Sequence, residues 1–393
     1  MSYEQKATQL LNQYPAIEDL RRKARKRLPF VAWEYLETGT GEEQLLDRNR
    51  AAMNNVTLVP RFLKGELKPD LSTTLFGKKY AAPFGVAPVG LTGLMWPRAE
   101  IMLAKAATHA GIPFSLSTVA TETPEAVAPF LGDNGFFQLY PPREMDLCKK
   151  LLDRARDAGF HTLLVTGDVP TPSRRERTKR AGLEMPPKLT PRLLWQGITH
   201  PAWSLATLRR GLPQLRTIEP YAEFKSMMSV GSFSREKLGG NLSWAYCERL
   251  RELWDGPIII KGLLHPEDAE KALEIGMDGI VVSNHGARQF DAAPPAIEVL
   301  PDLARVAKGK MAVLFDSGIR SGLDIMRALA LGADFVLCGR AFLYGVGALG
   351  QNGAHHVAQI LKDELKNNMT QLGVETIAAL KGWAETAYRP NRP

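Results

Sequence analysis

From about residue 81 onward, short apolar and β-branched runs alternate with longer segments of helical periodicity, and this alternation limits what the chain can fold into more than any other feature. Repeated βα units bury a parallel sheet under helices, so their strands read as near-continuous apolar runs. The runs are PFGVAP (83–88), PFSLST (113–118), FFQLY (136–140), LLVTGD (163–168), PIIIKG (257–262), GIVVSNH (279–285), AVLFDSG (312–318) and FVLCGR (335–340). Helices are expected between them at Arg98–His109, Pro124–Leu131, Glu144–Ala158, Leu242–Leu253, Pro266–Ile275, Pro294–Ala307 and Gly322–Leu331, with a last one from Phe342 to about Met369. Four run into a glycine just before the next strand (Gly111, Gly159, Gly276, Gly332), as a left-handed cap requires. Eight units in order predict an α/β chain closed into a (β/α)8 TIM barrel.

Residues 1–80 read as an N-terminal helical extension: one or two helices through Glu37, the turn TGTGEE, a further helix and an extended stretch, expected to cover the barrel's floor or side. The barrel is expected over 81–375 and a C-terminal tail over 376–393. After the fourth barrel strand comes a connection, 169–241, far longer than a usual βα loop; it holds eight prolines (170, 172, 186, 187, 191, 201, 213 and 220). Such long connections are generally functional or disordered.

Charge is concentrated in the same connection. Between Arg174 and Gly240 stand 13 Lys/Arg, five Glu and no Asp, an excess equal to the whole chain's +8. A basic stretch of this kind is a solvated face, a nucleic-acid footprint or an anionic-lipid contact. No nucleic-acid-binding motif accompanies it, which argues against the second. Nowhere do 18 apolar residues run without a charge, so any membrane contact is expected to be peripheral. The N-terminus mixes acidic and basic residues and lacks the apolar core of a signal peptide, so a cytoplasmic location is expected. Cys148, Cys247 and Cys338 lie far apart and suggest neither a disulfide framework nor a metal site.

In barrels of this kind the chemistry sits at the C-terminal strand ends, where the loops form the open concave face. Those ends carry Ser117, Gln138 with Tyr140, Thr166 with Asp168, Lys261, Ser283 with His285, Asp316, and Gly339 with Arg340. Any one of these is explained as well by a satisfied core or cap residue. A polar group at nearly every end is not explained by packing. Gly318 and Gly339, with Arg320 and Arg340, offer backbone N–H groups and guanidiniums to a phosphate. Lys261 ends a buried-looking strand and needs an anionic partner, such as the electron-rich edge of a reduced flavin; a Schiff-base lysine is the rival on position alone. His285 and Arg288, three residues apart in SNHGARQ, supply a base suited to neutral pH and a planar fork for a carboxylate. Asp168 suits the role of holding the imidazole in one tautomer.

At these residues the chain resembles the FMN-dependent L-2-hydroxyacid dehydrogenases and oxidases. The resemblance covers nearly the whole chain and rests most specifically on SNHGARQ (283–289), supported by RLPFVAWEYLETG, APVGLTG, FFQLY, TGDVPTPSRRER, IIIKG, DSGIRSG and GRAFLYG in the family's order. It implies that His285 removes the substrate's Cα proton with Asp168 as its partner, that Arg175 and Arg288 hold the substrate carboxylate, and that Tyr35 adds a hydroxyl to it. Tyr140 would contact the substrate hydroxyl or developing charge, and Lys261 would stabilise the reduced cofactor. For FMN it implies Pro88, Val89 and Gly90 along the ring, with Ser117, Gln138, Thr166, Lys261 and Ser283 at the polar edge. Asp316, Ser317, Gly318, Ile319, Arg320, Gly339 and Arg340 would meet ribityl and phosphate.

Some positions depart from the family's commonest form. Gly167 replaces valine or threonine and is expected to loosen the fourth strand near Asp168; Phe290 replaces leucine, and RSG replaces RRG or RNG. Gly90 resembles the dehydrogenases, which implies a quinone or another carrier as electron acceptor; an oxidase using O2 is the second reading, and a non-catalytic phosphate-ligand barrel the third. Val119 and Pro172 point to a pocket roomier than that of glycolate-preferring members, for a substrate of L-lactate or (S)-mandelate type. LLWQGITHPAWSLATLRRGLPQL (193–215) has a composition suited to an anionic interface, such as the inner face of the cytoplasmic membrane, or to packing on a neighbouring subunit. A homotetramer is the implied assembly.

Overall fold

The eight expected runs form eight strands, and a two-strand hairpin in the extended stretch precedes them. A computed structural model describes residues 3–183, 190–222, 233–234, 236–239 and 242–383. In it β1 (Thr73–Leu75) and β2 (Lys78–Tyr80) make an antiparallel hairpin, while β3 (Phe84–Val86), β4 (Phe114–Ser117), β5 (Gly135–Leu139), β6 (Thr162–Thr166), β7 (Ile258–Leu263), β8 (Gly279–Val282), β9 (Ala312–Phe315) and β10 (Phe335–Cys338) match the eight runs. All eight pair parallel to their neighbours in chain order, and β10 returns to β3 to close the barrel.

Because successive side chains point to opposite faces of a strand, each run feeds two cores at once. Phe136, Leu164, Ile259, Val281, Leu314, Phe335 and Leu337 pack together inside the barrel. Their sequence neighbours Phe137, Leu163, Ile258, Ile260, Ile280, Val282 and Val336 pack outward under the helices. The hairpin closes the floor: Leu75 and Tyr80 join the inner cluster, with Tyr80 edge-on to Phe136 and Phe335 at ring distances of 6.5 and 5.7 Å. The extension thus covers the floor as expected, and its helices reach further, to the mouth, where Tyr35 and Thr40 meet residues 90 and 287.

The four glycines read as helix caps all have positive φ. The last expected helix is two, Arg340–Leu349 and Gln351–Leu372, broken at Gly350 (φ 61°, ψ −134°). Gly345 and Gly353 explain the break, since a Cβ on either would lie within 2.5 Å of the other's carbonyl oxygen; the two helices fold back with their backbones touching. The 169–241 connection carries short helices at Glu176–Arg180, Pro191–Thr199 and Pro201–Arg210. Pro191 and Pro201, counted above as loop residues, are first-turn residues, and Thr190 caps the former by accepting from the N–H of Leu193. Pro186, Pro187 and Asn241 lie outside the described residues, as does 384–393 of the tail. The rest of the tail is packed: Ile377 and Leu380 are buried, and Asp70 bridges to Thr376. Gly167 does not end its ladder, because its N–H donates to the Lys261 carbonyl at 2.8 Å.

Candidate active site

Two positions beyond each inward apolar residue the same strand face arrives at the mouth, and there it is polar. Parity alone puts Gln138 above Phe136, Thr166 above Leu164, Lys261 above Ile259, Ser283 above Val281 and Asp316 above Leu314. Gln138, Thr166, Lys261 and Asp316 border a cavity of about 220 Å3 that opens to solvent. Of the residues expected to touch cofactor or substrate, all border this cavity except Ser117 and Ser283. These two stand one layer back. Ser117 donates to Gln138 Oε1 (2.5 Å), whose amide donates to Thr166 Oγ1 (2.8 Å); Ser283 accepts from Lys261 Nζ (2.9 Å) and from the His285 N–H (3.0 Å).

His285 occupies a backbone turn of the opposite hand. His285, Gly286 and Ala287 have φ of 57°, 62° and 66°, a conformation that costs about 1–2 kcal/mol per non-glycine residue. Local acceptors hold it. Ser283 Oγ takes the His285 N–H, Ser317 Oγ the Gly286 N–H (3.1 Å) and Asn284 Oδ1 the Ala287 N–H (3.2 Å). The imidazole Nδ1 then lies 2.9 Å from Asp168 Oδ1, which places a proton on Nδ1 and leaves Nε2 as the lone-pair nitrogen. Burial raises the Asp168 carboxyl, but His285 and Lys261 outweigh it and hold the group below the usual carboxylate range. Lys261 Nζ meets Asp316 Oδ2 at 2.7 Å. This pairing supplies the partner the sequence demanded, and with Asp168 it keeps the ammonium charged against the cost of burial.

The remaining cations are less well balanced. Arg288 donates to the carbonyls of Tyr35 and Leu36, Arg340 to those of Leu36, Thr38 and Gly286, and Arg175 to Ser173 Oγ; among the described residues none of the three has a carboxylate partner. Burial and then Arg175 push Arg288 down to about 10, and burial with Arg288 and Arg320 pushes Arg340 down to about 9. Mutually repelling, buried guanidiniums are an anion site in waiting. Tyr140 is pushed up to about 12 by burial, opposed by Arg175, and so remains a neutral donor. Tyr35 faces the cavity with its hydroxyl donated to the Gly90 carbonyl at 2.9 Å.

These residues fit FMN. Arg320, Arg340 and the backbone at Gly318 and Gly339 would hold a phosphate dianion, Ala87, Pro88 and Val89 would meet a flat ring, and Gln138, Thr166 and Lys261 would hydrogen-bond to its polar edge.

Several contributors escaped the sequence reading. Gly262 (φ 107°) has no room for a side chain, since a Cβ there would lie 2.4 Å from Asp168; the glycine of IIIKG is therefore what lets the aspartate sit against β7. Asn49 and Asn284 exchange amide hydrogen bonds (3.1 and 2.7 Å) and tie the extension to the His285 turn, but 235 residues of separation hide the pair. Gly286, Leu337 and Leu343 also line the cavity; each lies inside a quoted motif. Val119 lines it as expected, whereas Pro172 does not. A Cβ on Gly90 would stand 2.5 Å from Val119 Cγ2, so packing alone accounts for the glycine there.

A model of the FMN-dependent dehydrogenase family matches residues 24–384. L-Lactate dehydrogenase of Haemophilus influenzae (strain PittEE) is 41% identical over 365 residues, 92% of this chain and 96% of that protein. The L-lactate dehydrogenase of Ectopseudomonas mendocina (strain ymp) is 41% identical over 367 residues, 93% and 97% of the two chains. Among solved structures, the monotopic membrane protein (S)-mandelate dehydrogenase superposes with a TM-score of 0.91 at 34% identity, covering 95% of this chain and 99% of that one. A mandelate oxidase gives 0.80 at 33%, covering 94% and 97%. With the barrel, the cavity and these relatives in agreement, the chain belongs to the FMN-dependent dehydrogenase family.

Proposed function

We propose that this protein oxidises a small L-2-hydroxy acid, of L-lactate or (S)-mandelate type, to the 2-oxo acid and passes the electrons to a quinone or another carrier. The observation that carries the reading is that His285, paired with Asp168 at 2.9 Å, lines one cavity with Arg175 and Arg288, neither of which has a carboxylate partner among the described residues. When bound, FMN supplies the two-electron acceptor. Arg288 and Arg175 bind the substrate carboxylate, and Tyr35 adds its hydroxyl by turning it from the Gly90 carbonyl. Nε2 of His285 takes the Cα proton, and Asp168 stabilises the imidazolium that forms. Tyr140, still protonated, donates to the substrate's hydroxyl oxygen, and the buried Lys261 ammonium favours negative charge at the ring's polar edge.

Anaerobic mixing with glycolate, L-lactate, and (S)- and (R)-mandelate tests this directly. L-Lactate or (S)-mandelate is expected to bleach the flavin, and added quinone to restore its colour faster than O2. Failure of every acid to bleach it would leave only the binding-barrel reading; peroxide formed as fast as substrate is lost would select the oxidase.

We also infer peripheral contact of residues 191–212 with an anionic membrane, the inner face of the cytoplasmic membrane being the site the resemblance implies. Trp203 and Gln196 anchor this helix pair by bonding to Leu94 and Val31, yet Trp195, Ile198 and Leu208 stand 66%, 70% and 80% exposed beside Arg192 and Arg209. Among the described residues no helix is long and apolar enough to cross a membrane. Replacing Ile198 and Leu208 by glutamate should lower cosedimentation with anionic vesicles about tenfold without slowing flavin reduction. Unchanged sedimentation would overturn the inference, and a drop from tetramer to smaller species would assign the face to subunit packing.

A further inference from the structure

Arg175 presents its guanidinium to the cavity from a left-handed backbone (φ 40°), a conformation a side-chain-bearing residue keeps only when its surroundings impose it. Its own bond, to Ser173 two residues away, is too local to do so. The next two residues are pinned instead. Glu176 accepts the N–H of Gly41 at 3.0 Å, and Arg177 bridges two carboxylates of the N-terminal extension, reaching Glu34 through Nε (2.5 Å) and Nη2 (3.1 Å) and Glu43 through Nη1 (2.5 Å).

The other ends of these bonds converge on one stretch. Glu43 also accepts from Thr38 Oγ1 (2.7 Å) and the Gly39 N–H (3.0 Å), closing the turn after helix Phe30–Glu37. That helix carries Tyr35, and its final carbonyls are the acceptors for Arg288. Arg175, Tyr35 and Arg288 are therefore joined mechanically outside the cavity, through residues 34–43. Glu34 is buried and the Arg177 side chain 36% exposed, so the bridge is a partly desolvated, bidentate pair rather than a solvated surface one.

We propose that Arg177 is a positioning residue for substrate binding: by tying the loop of Arg175 to the segment of Tyr35 and Arg288, it sets the spacing of the carboxylate clamp without touching the ligand. The inference rests on the reading of Arg175 and Arg288 as that clamp. Its signature is a loss of affinity for carboxylates rather than of chemical rate, because His285 and Asp168 are held by other bonds.

The test uses FMN-loaded full-length protein carrying Arg177→Gln, Glu43→Gln or both, with oxalate as a probe whose binding perturbs the flavin absorbance. Expected are a rise of about tenfold in KM and in the oxalate Kd, a limiting rate of anaerobic reduction within about threefold of the parent, and a double variant no worse than the poorer single one. Arg177→Lys should recover only part of the affinity, since an ammonium cannot span both carboxylates. Arg154→Gln removes an ion pair to Glu125 remote from the cavity and controls for general loosening; it should leave KM unchanged. Equal losses in Arg177→Gln and Arg154→Gln, or an unaltered oxalate Kd in Arg177→Gln, would overturn the proposal. Failure of the clamp reading is seen separately, as Arg175→Gln binding oxalate like the parent.

Discussion

Replacing His285 with alanine will leave FMN bound while the anaerobic reduction of the flavin by substrate slows about 1,000-fold, the middle of the range a positioned general base supplies. The argument is geometric. Nδ1 is committed to Asp168 at 2.9 Å, so Nε2 is the nitrogen free to accept a proton, and no other described side chain bordering the cavity combines a free lone pair with a carboxylate partner. Asp168→Asn should fall in the same direction, because an amide both reverses the tautomer preference and withdraws the negative charge that the imidazolium needs. FMN retention is expected because neither His285 nor Asp168 is among the residues assigned to the cofactor, and the flavin spectrum checks it. Reduction at the parental rate in His285→Ala would remove the imidazole from the mechanism.

Arg288→Met is expected to reduce kcat/KM about 100- to 1,000-fold, roughly 3–4 kcal/mol at 1.4 kcal/mol per decade. Arg288 is buried, carries no ion pair among the described residues and is depressed to about 10 by burial and by Arg175. That is an electrostatic debt which an incoming carboxylate cancels, so the energy is realised on binding. Lysine should restore little, since the site asks for a planar fork that reaches the Tyr35 and Leu36 carbonyls and the ligand together. The decisive measurement is steady-state kinetics with FMN content matched between variants; a KM equal to the parent's would remove Arg288 from substrate binding.

The barrel was legible because strand parity and helix periodicity write the same pattern eight times. What parity could not reveal was anything depending on two distant stretches. The Asn49–Asn284 amide pair and the Arg177 bridge to Glu34 and Glu43 have no local signature, since each partner taken alone is an ordinary polar residue of a helix or turn. Gly262 was visible yet unread: its requirement comes from Asp168 on the adjacent strand. The single long helix expected after Phe342 failed for a related reason, as the glycine crossing at 345 and 353 is a contact between helices, invisible to periodicity within either. The mouth was the easier part, because a polar residue inside an apolar run is conspicuous wherever it falls.

The reversed-hand turn at 285–287 limits which mutations this region can accumulate. Ala287 is buried and absent from the cavity wall, so ligand chemistry places no demand on it. Valine or isoleucine would nonetheless be excluded there, because branching at Cβ is least compatible with φ near 66°. Variation at this position is governed by handedness, and a conservative apolar exchange would disarm the imidazole as surely as a substitution within the cavity.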